Sequence, residues 1–407
     1  MLSDRLSPIC GFGYGRLMPK PAHSSCPHDL AIAGGGLAGG LVALALTKLR
    51  PELNILLIEG GDHFGGNHIW SFFDSDVEPE HRWLVDPLIS RRWDRYDVHF
   101  PDYSRCLHNG YCSIESDNLD RRLRTTVPAK ALKTGQMIER VEKTLVRLVD
   151  GTEISAAAVL DVRGGGDLSA LETGWQKFCG QMLRLKQPHG LEQPVIMDAT
   201  VEQIDGYRFI YCLPFSDTEL FVEDTYYADT ADLDSTACQI RIAEYAADRG
   251  WEIDAVLNEE KGQLPVLYGG DFEAFWNANP GVDARAGARA ALIQPITSYS
   301  LPMAVQTAIM IAAMPVIDQD SLDKKLRNLA TQHWKNGKFY RMLCAMMFKA
   351  AQPEKRYRTL QHTYAKDEEL IKRFYAGETT MLDKIALLSG KPPVPISKAL
   401  PIMMKFL

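Results

Sequence analysis

The stretch Asp29-Leu-Ala-Ile-Ala-Gly34-Gly35-Gly36-Leu37-Ala38-Gly39-Gly40, an apolar run to Thr47, and then Asn54-Ile-Leu-Leu-Ile-Glu59 decide the fold class. They spell strand, glycine turn, helix, second strand and terminal acid, the parts of a dinucleotide-binding βαβ unit in order. Gly34 permits the tight turn, Gly36 lets the backbone approach a pyrophosphate, and Gly39 allows helix and strand to pack closely. The helix opens at Leu37 and Ala38, where unpaired N–H groups and the dipole favour an anion. Glu59 lies twenty residues beyond Gly39, placed to accept hydrogen bonds from ribose hydroxyls. An acid at this point suits an unphosphorylated ribose, as in FAD or NAD. A second glycine-rich segment, Gly60-Gly61-Asp62-His63-Phe64-Gly65-Gly66-Asn67-His68, favours FAD. Two-domain flavoproteins often carry such a loop beside the ribose, and NAD dehydrogenases do not need one.

The 407 residues suffice for two or three units with real cores, and 46% hydrophobic with 24% charged residues is a globular composition. A net charge of −7 argues against nucleic acid as a partner. The eight cysteines form no CxxC pair, so metal and disulfide roles are not expected and a reducing cytoplasm fits. Charge is uneven: Ser321 to Leu407 holds 17 Lys+Arg against 7 Asp+Glu, net +10, leaving −17 for the remainder. A basic tail on an acidic body suggests an anionic surface as neighbour, with a set of solvated helices as the plain alternative. The longest apolar run, Met303 to Ile317, is shorter than the roughly 18 residues of a membrane span and reads as a buried helix. Residues 1–28 lack a basic start and an apolar core; a loose tail is expected there, with Met18 as a second candidate start.

The expected architecture is α/β: a Rossmann-like FAD-binding domain, a sheet-rich substrate domain and a helical C-terminal region. The FAD-binding domain is assigned to 29–70, 140–170 and 283–320, the substrate domain to 71–139 and 171–282, and a basic, membrane-facing helical region to 321–407. Residues 117–126 read as a helix and Val141–Ile154 as a hairpin around Asp150-Gly151. Ala157 to Asp161 reads as a buried parallel strand. Val195–Thr200, Tyr207–Leu213 and Glu219–Tyr226 form an antiparallel set, residues 236–250 a helix, and Ala290–Leu301 a strand plus loop. Phe339, Met342, Leu343, Met346 and Met347 share one helical face, read either as core or as a stripe lying on the bilayer.

Four segments are too specific for scaffold: Gly66-Asn-His68-Ile-Trp70-Ser-Phe-Phe73, Met197-Asp198-Ala-Thr-Val-Glu-Gln-Ile-Asp-Gly-Tyr-Arg208-Phe209, Phe221-Val-Glu223-Asp224-Thr-Tyr-Tyr227 and Gln294-Pro-Ile-Thr297-Ser298-Tyr299-Ser-Leu-Pro302. Together with the glycine fingerprint and Leu388-Ser-Gly-Lys-Pro-Pro-Val-Pro395, the chain resembles bacterial lycopene β-cyclases from about Asp29 to its end. The resemblance implies a membrane-associated flavoprotein, on the cytoplasmic side of the inner membrane and possible neighbour of other carotenoid enzymes, that converts linear lycopene through γ-carotene to β-carotene. It implies a redox-neutral reaction beside reduced FAD, with NAD(P)H as ultimate electron donor.

Such a reaction needs a carboxylic acid kept protonated by an apolar site, negative charge near a ring cation, and exclusion of water. The family's strand with an essential acidic pair matches Glu223-Asp224. Adjacent strand residues face opposite sides, so one faces the cavity, and Glu223 is favoured. Asp198 is a candidate to share a proton with Glu223 or orient it; Arg208 reads equally as a functional group or a structural counter-ion. Gly66, His68 and Trp70 are expected to border the flavin. Asp161 and Arg163 fit cofactor-domain packing at least as well as catalysis. The loop Thr297-Ser298-Tyr299 is implied to approach the isoalloxazine, but Gln294 and Ser298 stand where such cyclases tend to have histidine and glycine. Arg285-Ala-Gly287-Ala-Arg289-Ala290 lacks the usual Gly-Asp flavin signature. An FAD monooxygenase or prenyl reductase, and an inactive carotenoid-binding paralogue, are the competing readings.

Overall fold

The computed structural model describes residues 26–279 and 281–406, so the tail expected over 1–28 lies outside the described residues up to position 25. Strand β1 (His28–Ala33) leads through Gly34, at φ +114°, into helix α1 (Leu37–Leu49), and β2 (Ile55–Ile58) returns parallel to β1. A third parallel strand, β3 (Glu153–Asp161), flanks β1 on its other side, with Ala31 between Leu56 and Val159. These strands read as continuous apolar runs because both faces of the sheet are covered. A Cβ on Gly39 would stand 2.0 Å from the Gly34 carbonyl oxygen, so this crossing of turn and helix accepts no side chain. The sheet is completed by Leu132–Lys133 beside β2 and, on the far edge, by the antiparallel strands Leu145–Leu148 and Ile138–Glu142.

Residues 116–139 therefore belong with the nucleotide unit, not with the substrate domain to which 71–139 was assigned. Helix Ser116–Thr126 lies on α1, its Leu119 packed over Gly40. A two-residue strand and a helix with two buried leucines carry too little pattern to reveal this from sequence alone.

The second unit is a seven-stranded sheet. Its core is β4 (Leu171–Leu185), β5 (Val195–Asp198), β6 (Tyr207–Pro214) and β7 (Glu219–Ala228); helix α2 (Ser235–Asp248) follows, then β8 (Ile253–Gly270). The order is β8-β4-β7-β6-β5, continued by Tyr96–Phe100 and Tyr103–Leu107. The three strands expected in 195–226 are present. The two longest, β4 and β8, escape a sequence reading because glycines, a proline and runs of charge interrupt their alternation. At Gly180 the gap is filled by Phe221, whose ring would stand 2.3 Å from a Cβ. One face of the sheet is covered by α2 through Cys238, Ile242 and Tyr245. A small sheet of Ile69–Phe73, Tyr111–Glu115 and Arg91–Trp93 stands between the units.

The chain then returns to the first unit. Residues 291–300 are irregular rather than a strand, and α3 (Leu301–Ala312) packs on α1 as the buried helix expected from Met303 onward. Helix α4 (Gln319–Asn336) follows, binding the β3 backbone through the Gln319 side chain, which accepts from Val159 N at 2.7 Å. Next come α5 (Lys338–Lys349), α6 (Tyr357–Tyr364), α7 (Glu368–Ala376), α8 (Met381–Leu388) and α9 (Ile396–Lys405). The methionine stripe of α5 is core: Met342, Leu343, Met346 and Met347 are each at most 8% exposed, so the bilayer-facing alternative fails there. Among the described residues no helix is long and apolar enough to cross a membrane.

Candidate active site

The nucleotide end is built from two loops held together by backbone bonds. Gly65 N–H donates to Gly35 O at 2.9 Å, and Gly65 and Gly66 adopt φ +84° and +66°. Glu59, at the end of β2, accepts from Gly35 N at 2.7 Å and from Gly61 N at 2.8 Å, so one carboxylate ties both loops. A Cβ on Gly36 would meet nothing within 4 Å, and no side chain caps the start of α1. Open space beside uncapped N–H groups at Leu37, Ala38 and Gly39 fits a pyrophosphate. The Arg285–Ala290 segment reaches the same loop: a Cβ on Gly287 would lie 3.3 Å from Ala38 Cβ. Asp161, 2% exposed, accepts from Arg163 Nε at 2.9 Å and Arg289 Nε at 2.7 Å, which makes it a packing node of this unit.

Between the small sheet, the open face of the large sheet and the 297–301 loop lies a cavity of about 460 Å³. Trp70, Phe73, Phe178, Phe209, Tyr211 and Phe221 give it aromatic walls, and His68, Thr297, Ser298 and Tyr299 also line it. Glu223 projects into this cavity from β7 and accepts from the Thr225 hydroxyl at 2.5 Å. Burial, and next the charge of Glu260, push its pKa up to about 8. Glu260, on β8 and 5% exposed, is the residue that sequence reasoning missed, because its strand could not be assigned. Its carboxylate accepts from Ile69 N at 3.0 Å and pairs with His68 Nδ1 at 2.9 Å. That hydrogen bond raises the His68 pKa against the opposing effect of burial.

Alternation separates the acidic pair as the strand geometry requires. Asp224 is fully buried on the α2 side, where it accepts from Arg208 Nε at 2.7 Å and from the Tyr226 hydroxyl. Arg208 is thus placed as the counter-ion of Asp224, outside the cavity. Asp198 also lies on that side, in correction of its expected contact with Glu223. Its carboxylate accepts from Thr200 Oγ1 at 2.5 Å, Tyr245 OH at 2.8 Å and Arg249 at 2.6 Å. The cause is an irregular register between Val195 and Asp198, which turns Ile196 and Met197 both toward the cavity and Asp198 away. Asp224→Asn leaves the Arg208 charge buried without a partner and is expected to lower unfolding free energy by about 3–5 kcal/mol. Urea denaturation checks this, and turnover per folded molecule should change far less.

Ser298 has φ +57°, a conformation that costs a non-glycine residue roughly 1–2 kcal/mol. Two features hold it there. Its hydroxyl donates to Pro265 O at 2.6 Å, and the Gln294 side chain accepts from Ile296 N at 2.6 Å and Thr297 N at 3.0 Å, closing the turn. Gln294 and Ser298 therefore rebuild locally what a glycine would supply by conformational freedom. Ser298→Ala, which keeps the strain and loses the bond, should cost about 1 kcal/mol, whereas Ser298→Gly should be near neutral. Thermal melting distinguishes the two.

The parallel sheet, the paired glycine loops and the cavity at the junction of two units define a two-domain protein of the FAD-binding α/β type. Residues 29–401 match the family model for lycopene cyclase protein, and the chain belongs to that family. It is 44% identical over 381 residues to a lycopene beta-cyclase of Pantoea ananas, covering 93% of this chain and 98% of that protein. A lycopene beta-cyclase of Pseudescherichia vulneris is 43% identical over 372 residues, covering 91% and 96%. Among solved structures, a flavin-dependent halogenase from Xanthomonas campestris shares the fold with a TM-score of 0.56 at 14% identity, covering 93% of each chain. A geranylgeranyl bacteriochlorophyll reductase-like protein from Thermoplasma acidophilum does so at 0.55 and 12%, covering 93% of this chain and 99% of that one.

Proposed function

We propose that the chain closes β-rings on the ends of linear lycopene, giving γ-carotene and then β-carotene, with Glu223 as the acid. The observation that carries this reading is Glu223 itself, a carboxyl with its pKa pushed up to about 8 at the wall of an aromatic cavity. A carboxyl so placed keeps its proton at neutral pH and has a dry site in which to deliver it. The proton passes from Glu223 to the terminal double bond; the neighbouring double bond closes on the cation, forming the ring C–C bond. A ring proton then returns to the Glu223 carboxylate, so atoms and electrons balance without net redox change. The faces of the aromatic walls attract the cation, and the fixed carboxylate of Glu260, held by Ile69 N–H and His68, adds negative charge.

FAD held by Gly34, Gly36, Leu37, Ala38, Gly39, Glu59, Gly66 and His68, with Thr297, Ser298 and Tyr299 toward the cavity, would in its NAD(P)H-reduced form supply further negative charge beside that cation. A polyene insoluble in water must come from a membrane, so the proposed place of work is the cytoplasmic surface of the inner membrane. Co-expression in a lycopene-accumulating bacterium followed by pigment analysis tests the reading. β- or γ-carotene is the expected product. NADPH consumption in proportion to product would replace this reading by a monooxygenase or reductase, and lycopene bound but unchanged by a carrier.

A further inference from the structure

Seven of the thirteen exposed large apolar side chains among the described residues lie on two helices. Met381, Leu382, Ile385 and Leu388 on α8 and Ile396, Leu400 and Met404 on α9 all point outward, and Leu382 is 78% exposed. On α9 the spacing of four sets Ile396, Leu400 and Met404 along a single strip, and the exposed Lys398 and Lys405, seven apart, form a second row farther round the helix. The exposed Lys391 lies in the connection between the two helices, and Lys384, half-buried on α8, holds its ammonium over the Phe339 ring. The one acid in these two helices, Asp383, is buried and taken up by Arg373, which donates to it at 2.7 and 2.8 Å. Lysines and exposed apolar strips on one segment match an anionic lipid surface, whereas a second copy docking by this same face would bring like charges together.

Beneath these helices lies a second, almost wholly apolar cavity of about 240 Å³. The exposed Leu388, Ile396 and Leu400 form part of its lining, so it reaches this same face. Its inner end is lined by Ile296 and Phe374, whose chain neighbours Thr297 and Tyr375 line the cavity of Glu223. One layer of backbone and side chain thus separates the two spaces.

We infer that α8 and α9 dock on an anionic bilayer and that the cavity under them is the passage by which a linear polyene travels from lipid to Glu223. The passage rests on the cyclase reading; the docking face does not. In flotation with phosphatidylglycerol-containing vesicles, the wild-type chain should bind, and should bind more weakly in high salt or with phosphatidylcholine alone. The triple variant Leu382→Ser, Ile385→Ser, Leu400→Ser, all exposed and so harmless to folding, should bind about tenfold more weakly or less. Equal flotation of variant and wild type overturns the docking face. So does a wild type that ignores vesicles but dimerises through this face, with the triple variant monomeric. For the passage, Ala399→Trp fills the inner cavity, and Met403→Trp is a milder version should the first melt early. Vesicle binding should persist while cyclisation of vesicle-borne lycopene falls about tenfold, with detergent-dispersed lycopene affected equally. Full turnover in either tryptophan variant that retains its fold overturns the passage. If the wild type cyclises nothing in vesicles or detergent yet floats with anionic vesicles, the cyclase reading fails and the docking face stands.

Discussion

Replacing Glu223 by Gln should stop ring closure: turnover is expected to fall by about 10²–10⁴ or more, because a positioned general acid is worth that much and the amide holds no transferable proton. The substitution preserves size and the hydrogen bond to Thr225, so FAD content and fold should be unchanged. In the wild type, the acid is competent while protonated; activity should hold through neutral pH and decline as pH rises through about 8. The same shift has a sign for stability. A carboxyl that stays protonated in the folded chain but ionises in the unfolded one removes stability as pH climbs from the usual carboxyl range toward about 8. The Gln variant escapes that loss and should melt higher than wild type at neutral pH. Retained activity in Glu223→Gln would move the acid elsewhere, and Glu260, the other carboxylate lining the cavity, would be next to test.

Gly36→Val should empty the cofactor site without disturbing the fold. A side chain at this position meets no protein atom within 4 Å, and the backbone there is extended, which valine accepts. It would occupy the space where the uncapped N–H groups of α1 meet a pyrophosphate. Losing one or two charge-assisted hydrogen bonds, each about 1.5–3 kcal/mol, implies an affinity drop on the order of a hundredfold. Absorbance of the purified protein and flavin titration measure it, and wild-type occupancy would refute the assignment. Gly39→Ala is the useful contrast. Its Cβ would stand 2.0 Å from Gly34 O, so that variant should fail by misfolding rather than by losing ligand alone.

The parts of the chain that could be read from sequence are those where one residue type serves one local purpose. The glycine fingerprint and Glu59 belong to a continuous segment, and the alternation around Glu223-Asp224 is a property of any strand. What could not be read depends on which distant segments meet. Glu260 acquires its meaning from His68 and Ile69, about 190 positions earlier, and from Glu223 two strands away in the same sheet. Asp198 turned away because of an irregular register, which no pattern of apolar residues announces. The stripe on α5 and the strips on α8 and α9 look alike as sequences; only the fold shows that the first is covered by β8 while, among the described residues, the others are exposed.

Glu223 and Asp224 are neighbours in the gene yet belong to two chemical compartments, one wet by substrate and one sealed around Arg208. Strand β7 is hydrogen-bonded on both flanks along nearly its whole length, to β4 and to β6, so it cannot absorb a change of length by sliding. Loss or gain of a single codon between the Ser216-Asp217 turn and Val222 would transpose every side chain that follows, putting an aspartate into the cavity and a glutamate against the buried guanidinium. Inheritance in this segment is therefore confined to substitution: its letters are free to drift where neighbours permit, but its length is fixed.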